Sequence, residues 1–244
     1  MAWTASRAGA SALTQNPGGS LPVDLWPHLW RFTLLCLLIT AEFAVVYYGA
    51  DWITARHALR IHAYGTSELR IPLVPVMVVP YMTMYCIFLF APFVLRSTAD
   101  LDRFAGALAR VIVIAGVAFV LLPAQLGFTP VNTTASVWDP WLRLATALSR
   151  TYNLVPSLHV ALFTVAAATY ATRVSMWVRV LLGIWLVIVA ASTILAHQHH
   201  LIDVAAGLVL GVWGARVATA GSMPPLAHHG SPTAFSQEGS RCSP

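Results

Sequence analysis

The chain has 244 residues, 58% of them hydrophobic and only 9% charged, with a formal net charge of +5 and a mean hydropathy of +0.71. Soluble domains carry about 25% charged residues, so the composition excludes an ordinary soluble globular protein. All 14 basic residues are arginines scattered at the ends of apolar segments, without the clustered basic face a nucleic-acid footprint needs, so nucleic acid is not an expected partner.

Residues 1–28 read as a polar tail rich in Ala, Ser, Gly and Pro. A signal peptide would set its apolar core close to the basic start. Here the first long apolar run begins near Leu29 and is long enough to span, so it reads as a retained helix. With this run as the first, six spans are expected, at about 30–50, 72–95, 104–123, 157–173, 177–196 and 199–219, each set against the ~20 apolar residues a crossing needs. Pro72, Pro75 and Pro80 predict a kink in the second span, which a membrane helix tolerates when neighbours satisfy the freed carbonyls. Only "AHQHHL" separates the fifth and sixth spans, so these two lie side by side and antiparallel. Residues 221–244 read as a disordered tail. The expected fold is therefore all-α, an integral-membrane six-helix bundle over 29–220.

Six spans put both chain ends on one side. The arginines divide nine to five in favour of a cytoplasmic location for that side. "NLVPSLHV" (153–160) and "AHQHHLID" (196–203) then share the outer face. Cys36, Cys86 and Cys242 have no metal or redox spacing. Gly207 and Gly211, with Gly214 one turn on, form a small-residue stripe that reads as helix packing within the chain.

Five of the nine histidines, His28, His57, His62, His228 and His229, fall in loops or tails and read as solvated. His159, His197, His199 and His200 stand at helix mouths, where ionisable groups are costly and functional by default. His199 and Asp203 are four apart and share a helix face. A carboxylate there can accept the Nδ1 proton of the imidazole, fix its tautomer and leave Nε2 as a free lone pair, with histidine itself as nucleophile. The alternative is a polar contact that keeps Asp203 satisfied near lipid.

His159 follows Pro156 and Ser157 at a helix start, where a proline costs nothing, and Asn153 is placed to cap. The first N–H groups of such a helix make a phosphate seat. A histidine in that turn can protonate a departing oxygen. The set needs no metal and no other cofactor.

"PSLH" (156–159) resembles the PSGH signature of the type 2 phosphatidic acid phosphatase superfamily. "STILAHQHHLID" (192–203) resembles its SRxxxxxHxxxD signature. Ser192, His199 and Asp203 fall on that pattern, while Thr193 stands where arginine is expected. The resemblance covers about residues 72–219. It implies a lipid phosphatase type of bundle, a phosphohistidine at His199, general acid/base work by His159 and support from Asp203. The substrate would be a phospholipid or an isoprenyl phosphate, drawn from among membrane lipids. The expected location is the inner membrane of a bacterium, with the site facing outward.

Leu158 replaces the glycine of PSGH. That variant is similar to the inositol phosphorylceramide synthase branch, and leaves transfer of a phospho-headgroup to a lipid or sugar hydroxyl as the alternative to hydrolysis. The KxxxxxxRP signature is missing as such. Arg150, then Arg143, are the expected phosphate clamps, because arginine grips phosphate through a planar fork; Arg143 reads equally as an interfacial anchor. Ser157, Asn153, Ser192 and His200 complete the candidate binding set, with Gln198 a further donor.

Two rivals come from other classes. "HQHH" is similar to a single histidine box of a membrane di-iron oxygenase, but those enzymes need several boxes. A vanadate-dependent haloperoxidase shares the triad but not the six spans. An ion pathway would call for charges near the midplane. Arg110 alone approaches it, and reads as snorkelling to the inner interface. Nothing in the sequence sets an oligomeric state.

Overall fold

The computed structural model describes residues 25–129 and 136–220. The two expected tails lie outside the described residues except for 25–28, which are helical. His228, His229 and Cys242 lie outside as well.

Every regular element among the described residues is a helix. Helix α1 spans Leu25–Thr54, α2 Val78–Ile87, α3 Ala91–Val94, α4 Thr98–Leu121, α5 Asp139–Leu148, α6 Leu158–Ala171, α7 Met176–Leu195 and α8 Leu201–Thr219. Five segments are long and apolar enough to cross a membrane: α1, residues 75–94, α4, α7 and α8. The protein is thus an all-helical membrane protein by length and composition.

The fourth expected span is α6, only 14 residues long. It rises ~21 Å against a hydrocarbon core of ~30 Å. Its brevity follows from its place in the bundle. Eleven of the 14 residues are buried, because α8, α7 and α4 surround it, so it meets protein rather than lipid along its length.

Gly207 and Gly211 permit the closest of these approaches. A Cβ at Gly207 would stand 2.5 Å from the Ser157 carbonyl oxygen, and one at Gly211 would stand 2.7 Å from that of Ala161. The small-residue stripe therefore packs α8 onto α6 inside the chain.

The second span is broken, though not where Pro72, Pro75 and Pro80 predicted. Pro75 opens a 3-10 turn and Pro80 sits in the first turn of α2, positions that require no N–H donor. The break is the 3-10 turn at Phe88–Phe90, directly before Pro92, whose missing N–H cannot reach back to Phe88. His28, expected to be solvated, is instead buried, with its Nε2 3.1 Å from the Pro92 carbonyl oxygen. That contact ties α1 to α3 at the broken end of the span.

Ser97 caps α4 by accepting the Asp100 N–H at 3.0 Å. Asp100 receives a fork of two 2.9 Å bonds from Arg173, at the end of α6. Arg31 bonds Asp102 at 2.8 Å. The starts of α1 and α4 and the end of α6 therefore share one end of the bundle. Arg110 reaches back to the Gly106 carbonyl oxygen, toward that end. The heads of α6 and α8 share the opposite end, and there the site lies.

Candidate active site

His197, with a φ of 54°, ends α7 in the left-handed conformation that usually falls to glycine. This sharp turn lets α8 begin at Leu201, five residues past Ala196. His199 sits inside the turn, buried, with its N–H bonded to the Thr193 carbonyl at 3.0 Å. Its Nδ1 is 3.3 Å from Asp203 Oδ2. The same oxygen accepts the His200 N–H at 2.8 Å. Asp203 thus caps α8 and orients His199 with one atom. Nε2 of His199 has no protein partner among the described residues.

His159 faces this ring across the head of α6, with the two ring centroids 6.2 Å apart. Its imidazole stacks on Tyr81 at 4.4 Å. Its Nε2 lies 3.1 Å from the Tyr85 hydroxyl. Tyr81 is held in turn through Ser149 Oγ at 2.8 Å. No signature pointed to these two tyrosines. Their one-turn spacing on α2 puts both on one face, but a tyrosine near a span end also fits an interfacial belt.

Ser157 precedes α6, fully buried, and its Oγ has no partner. Its N–H donates to the Asp203 carbonyl at 2.8 Å, which locks the two helix heads together. The first N–H groups of α6 receive no side-chain cap. Free helix N–H groups, the buried hydroxyl and the dipole end make the head of α6 favourable to an anion.

Other candidates fall elsewhere. Asn153 does not cap α6. Its Nδ2 donates to the Tyr47 carbonyl at 2.7 Å and ties the loop to α1, because Ser157 already holds the capping position. The Ser192 hydroxyl donates to Val189 in its own helix at 2.7 Å. Gln198 donates to Thr146 of α5 at 3.3 Å. Arg143 is exposed on α5 and makes no hydrogen bond or ion pair among the described residues. Arg150 lies with its guanidinium 4.6 Å from the centre of the Tyr48 ring, its Nε 3.7 Å from Asp51 Oδ2, and its N–H donating to the Tyr47 hydroxyl.

His200 is engaged away from the His159–His199 pair. Its Nε2 accepts the Gly127 N–H at 2.9 Å, so Nδ1 carries the proton, and Nδ1 is 3.4 Å from Glu68 Oε2. Its ring is sandwiched between Tyr64 and Phe128, each at 4.5 Å, and Phe128 stacks in turn on His197. Glu68 also accepts the Leu201 N–H at 2.9 Å and so caps α8. These contacts clamp two loops onto the helix head. Glu68 was not expected, because a loop carboxylate leaves no periodic signal.

Burial lowers the His200 imidazole below its ordinary value, and the Asp203 and Glu68 carboxylates offset only part of that. Burial would raise Glu68, but the Gly65 and Leu201 N–H groups and His200 together bring it below the ordinary carboxylate range. With a depressed folded value, the unfolded chain takes up the proton first. The stability contributed by neutral His200 is therefore full above about 6.5 and lost as pH falls through the folded value. The thermal midpoint is expected to fall on mild acidification, and His200→Gln should flatten that fall. A fall of equal size in the variant would remove His200 as the titrating latch.

The HQHH histidines are thus dispersed: His197 toward the Ile71 carbonyl at 3.0 Å, His200 toward Gly127, and His199 toward Asp203. Among the described residues no three His, Cys, Asp or Glu side chains are grouped to hold a metal ion.

Beside His159 opens an apolar cavity of about 410 Å³ between α1, α2, α4 and α6. His159 and Tyr85 form part of its wall, as do Tyr48 and Leu148. Comparison of the chain with protein-family models, with curated proteins and with solved structures gave no match.

Proposed function

We propose that the protein is a membrane-embedded phosphoryl-transfer enzyme of the phosphatidic acid phosphatase type. It hydrolyses a lipid phosphomonoester or diphosphate through a phosphohistidine. The observation that carries this reading is the facing pair His159 and His199, 6.2 Å apart, with Asp203 on His199 Nδ1 and an apolar cavity beside them. In this reading α6 completes a six-helix bundle, and the arginine distribution supports a site facing the outside.

The Nε2 lone pair of His199 attacks the phosphorus, the terminal one in a diphosphate, and its bond to the leaving oxygen breaks. His159 gives its proton to that oxygen, and the lipid alcohol leaves from a monoester or the lipid monophosphate from a diphosphate. Water then attacks the P–N bond while His159 takes its proton, releasing phosphate and restoring His199. Asp203 stabilises the charge that forms on His199. The α6 N–H groups, Ser157 and Arg150 meet the charge on the phosphoryl oxygens.

The test is product analysis with purified protein, phosphatidic acid, an isoprenyl diphosphate and phosphatidylinositol, each with and without ceramide or diacylglycerol. Free phosphate is the expected product. A new phospholipid without phosphate release would replace hydrolysis by transfer. Chelation with EDTA is expected to leave the rate nearly unchanged; strong inhibition reversed by a divalent ion would contradict the metal-independent scheme.

Tyr85 holds the His159 ring through its hydroxyl. Tyr85→Phe is expected to lower kcat about tenfold, as loss of one hydrogen bond of ~1.4 kcal/mol implies, with KM little changed. A wild-type kcat would make Tyr85 a wall residue only.

A further inference from the structure

The cavity beside His159 is long. Its α1 wall runs from Phe32 to Tyr48, sixteen residues or ~24 Å along the helix axis. One leaflet of a bilayer offers ~15 Å of hydrocarbon depth. The cavity therefore starts at the site and continues past the midplane.

Its two ends differ chemically. At the outer end stand His159, Tyr85 and Tyr48, with the Arg150 guanidinium over the Tyr48 ring. At the inner end the wall is Phe32, Ala91, Leu101 and Phe104. Beyond that end lie the ion pairs of Arg31 with Asp102 and of Arg173 with Asp100. A cation at the mouth, an apolar length and an ionic floor fit an amphiphile with an anionic head and a long tail.

We infer that this cavity seats the hydrocarbon chain of the phosphoryl substrate along its length and that its inner end sets the longest chain accepted. The substrate class is then a phosphate ester whose chain reaches past the bilayer midplane, a long alkyl or isoprenoid phosphate. This inference rests on the phosphatase reading for the identity of the head group.

Cys36 of α1 and Ala105 of α4 line the inner part of the cavity, on two neighbouring helices. They stand within about a turn of each other along the bundle, since Arg31 and Asp102 pair just below them. Both are small. A larger side chain at either place shortens the cavity without touching the site. The partition of a probe into detergent is the same for every variant, so the difference between variants reads the cavity alone.

The experiment measures binding of octyl-, dodecyl-, hexadecyl- and icosylphosphonate, which cannot be hydrolysed, to the full chain in detergent by thermal shift. Wild type is compared with Cys36→Phe and Ala105→Phe. The α1 variant guards against misfolding, because α1 is the less tightly packed wall. The expected result is that affinity rises with chain length in the wild type. Either variant keeps octylphosphonate within about twofold and weakens hexadecylphosphonate by at least about tenfold. A chain-length profile unchanged by both variants, or equal loss for every chain, would overturn the inference. So would binding of hexadecanol as tight as that of hexadecylphosphonate, since the cavity would then hold any bilayer chain. Loss of phosphate release from every lipid phosphate, with the length profile intact, would sink the phosphatase reading and leave the chain seat standing.

Discussion

Replacing His199 by alanine is expected to end turnover, with a fall of more than about a thousandfold and no phosphoenzyme trapped. The reason lies in the ring's surroundings. Its backbone is fixed in the turn by the Thr193 carbonyl. Its Nδ1 is committed to Asp203, which leaves Nε2 as the free lone pair on a ring whose centroid is 6.2 Å from that of His159. No neighbour can take its place: His200 accepts from Gly127 through Nε2, and Nε2 of His197 is held at the Ile71 carbonyl. A variant that kept full activity would end the phosphohistidine scheme. Measurement of phosphate release, with a thermal midpoint near wild type to establish folding, decides the matter.

Asp203→Asn is the second large effect expected, a fall in rate of about a thousandfold or more with the fold retained. Asparagine keeps one acceptor oxygen. That oxygen can still take the His200 N–H now bonded at 2.8 Å, so the α8 cap survives. The same oxygen also meets His199 Nδ1, which now lies 3.3 Å from Oδ2, so the ring stays oriented. What is lost is the negative charge that stabilises the imidazolium as Nε2 bonds to phosphorus. An unchanged rate would reduce Asp203 to a helix cap.

The long apolar runs were legible from length alone, because a bilayer demands ~20 residues of one character. The ends of α1 were not. Its helix continues through residues 25–29 and 51–54, where His28 finds a carbonyl partner that sequence cannot show. The short α6 reads in sequence like any other span, because burial by α8 and burial by lipid select the same side chains. The kink was misplaced for a related reason. Four prolines in and around that span look alike, yet only Pro92 falls where a helix needs its N–H donor.

At the site, the pairing of His199 with Asp203 followed from helical spacing, and the four-residue interval does put the groups 3.3 Å apart. The meeting of His159 with His199 needed the two helix heads to share one end of the bundle, which the alternation of spans implied. The loop residues were less readable. Asn153 had the chemistry of a cap but not the position, since Ser157 precedes the first turn of α6. Arg150 and Arg143 have equal charge and the same loop region, and only tertiary contacts separate them: Arg150 stacks at the cavity mouth, while Arg143 faces outward on α5. Tyr85 and Glu68 were invisible because their partners lie 74 and 133 residues away.

The central claim is a covalent phosphoryl group on His199. Rapid quenching of the purified protein during turnover of a labelled lipid phosphate, followed by mapping of the labelled peptide, tests it most directly. The expected result is an acid-labile, base-stable label on the peptide that carries His199, present in the wild type and absent in His199→Ala. Phosphate release at the full rate with no label on that histidine, or with the label on another residue, would contradict it.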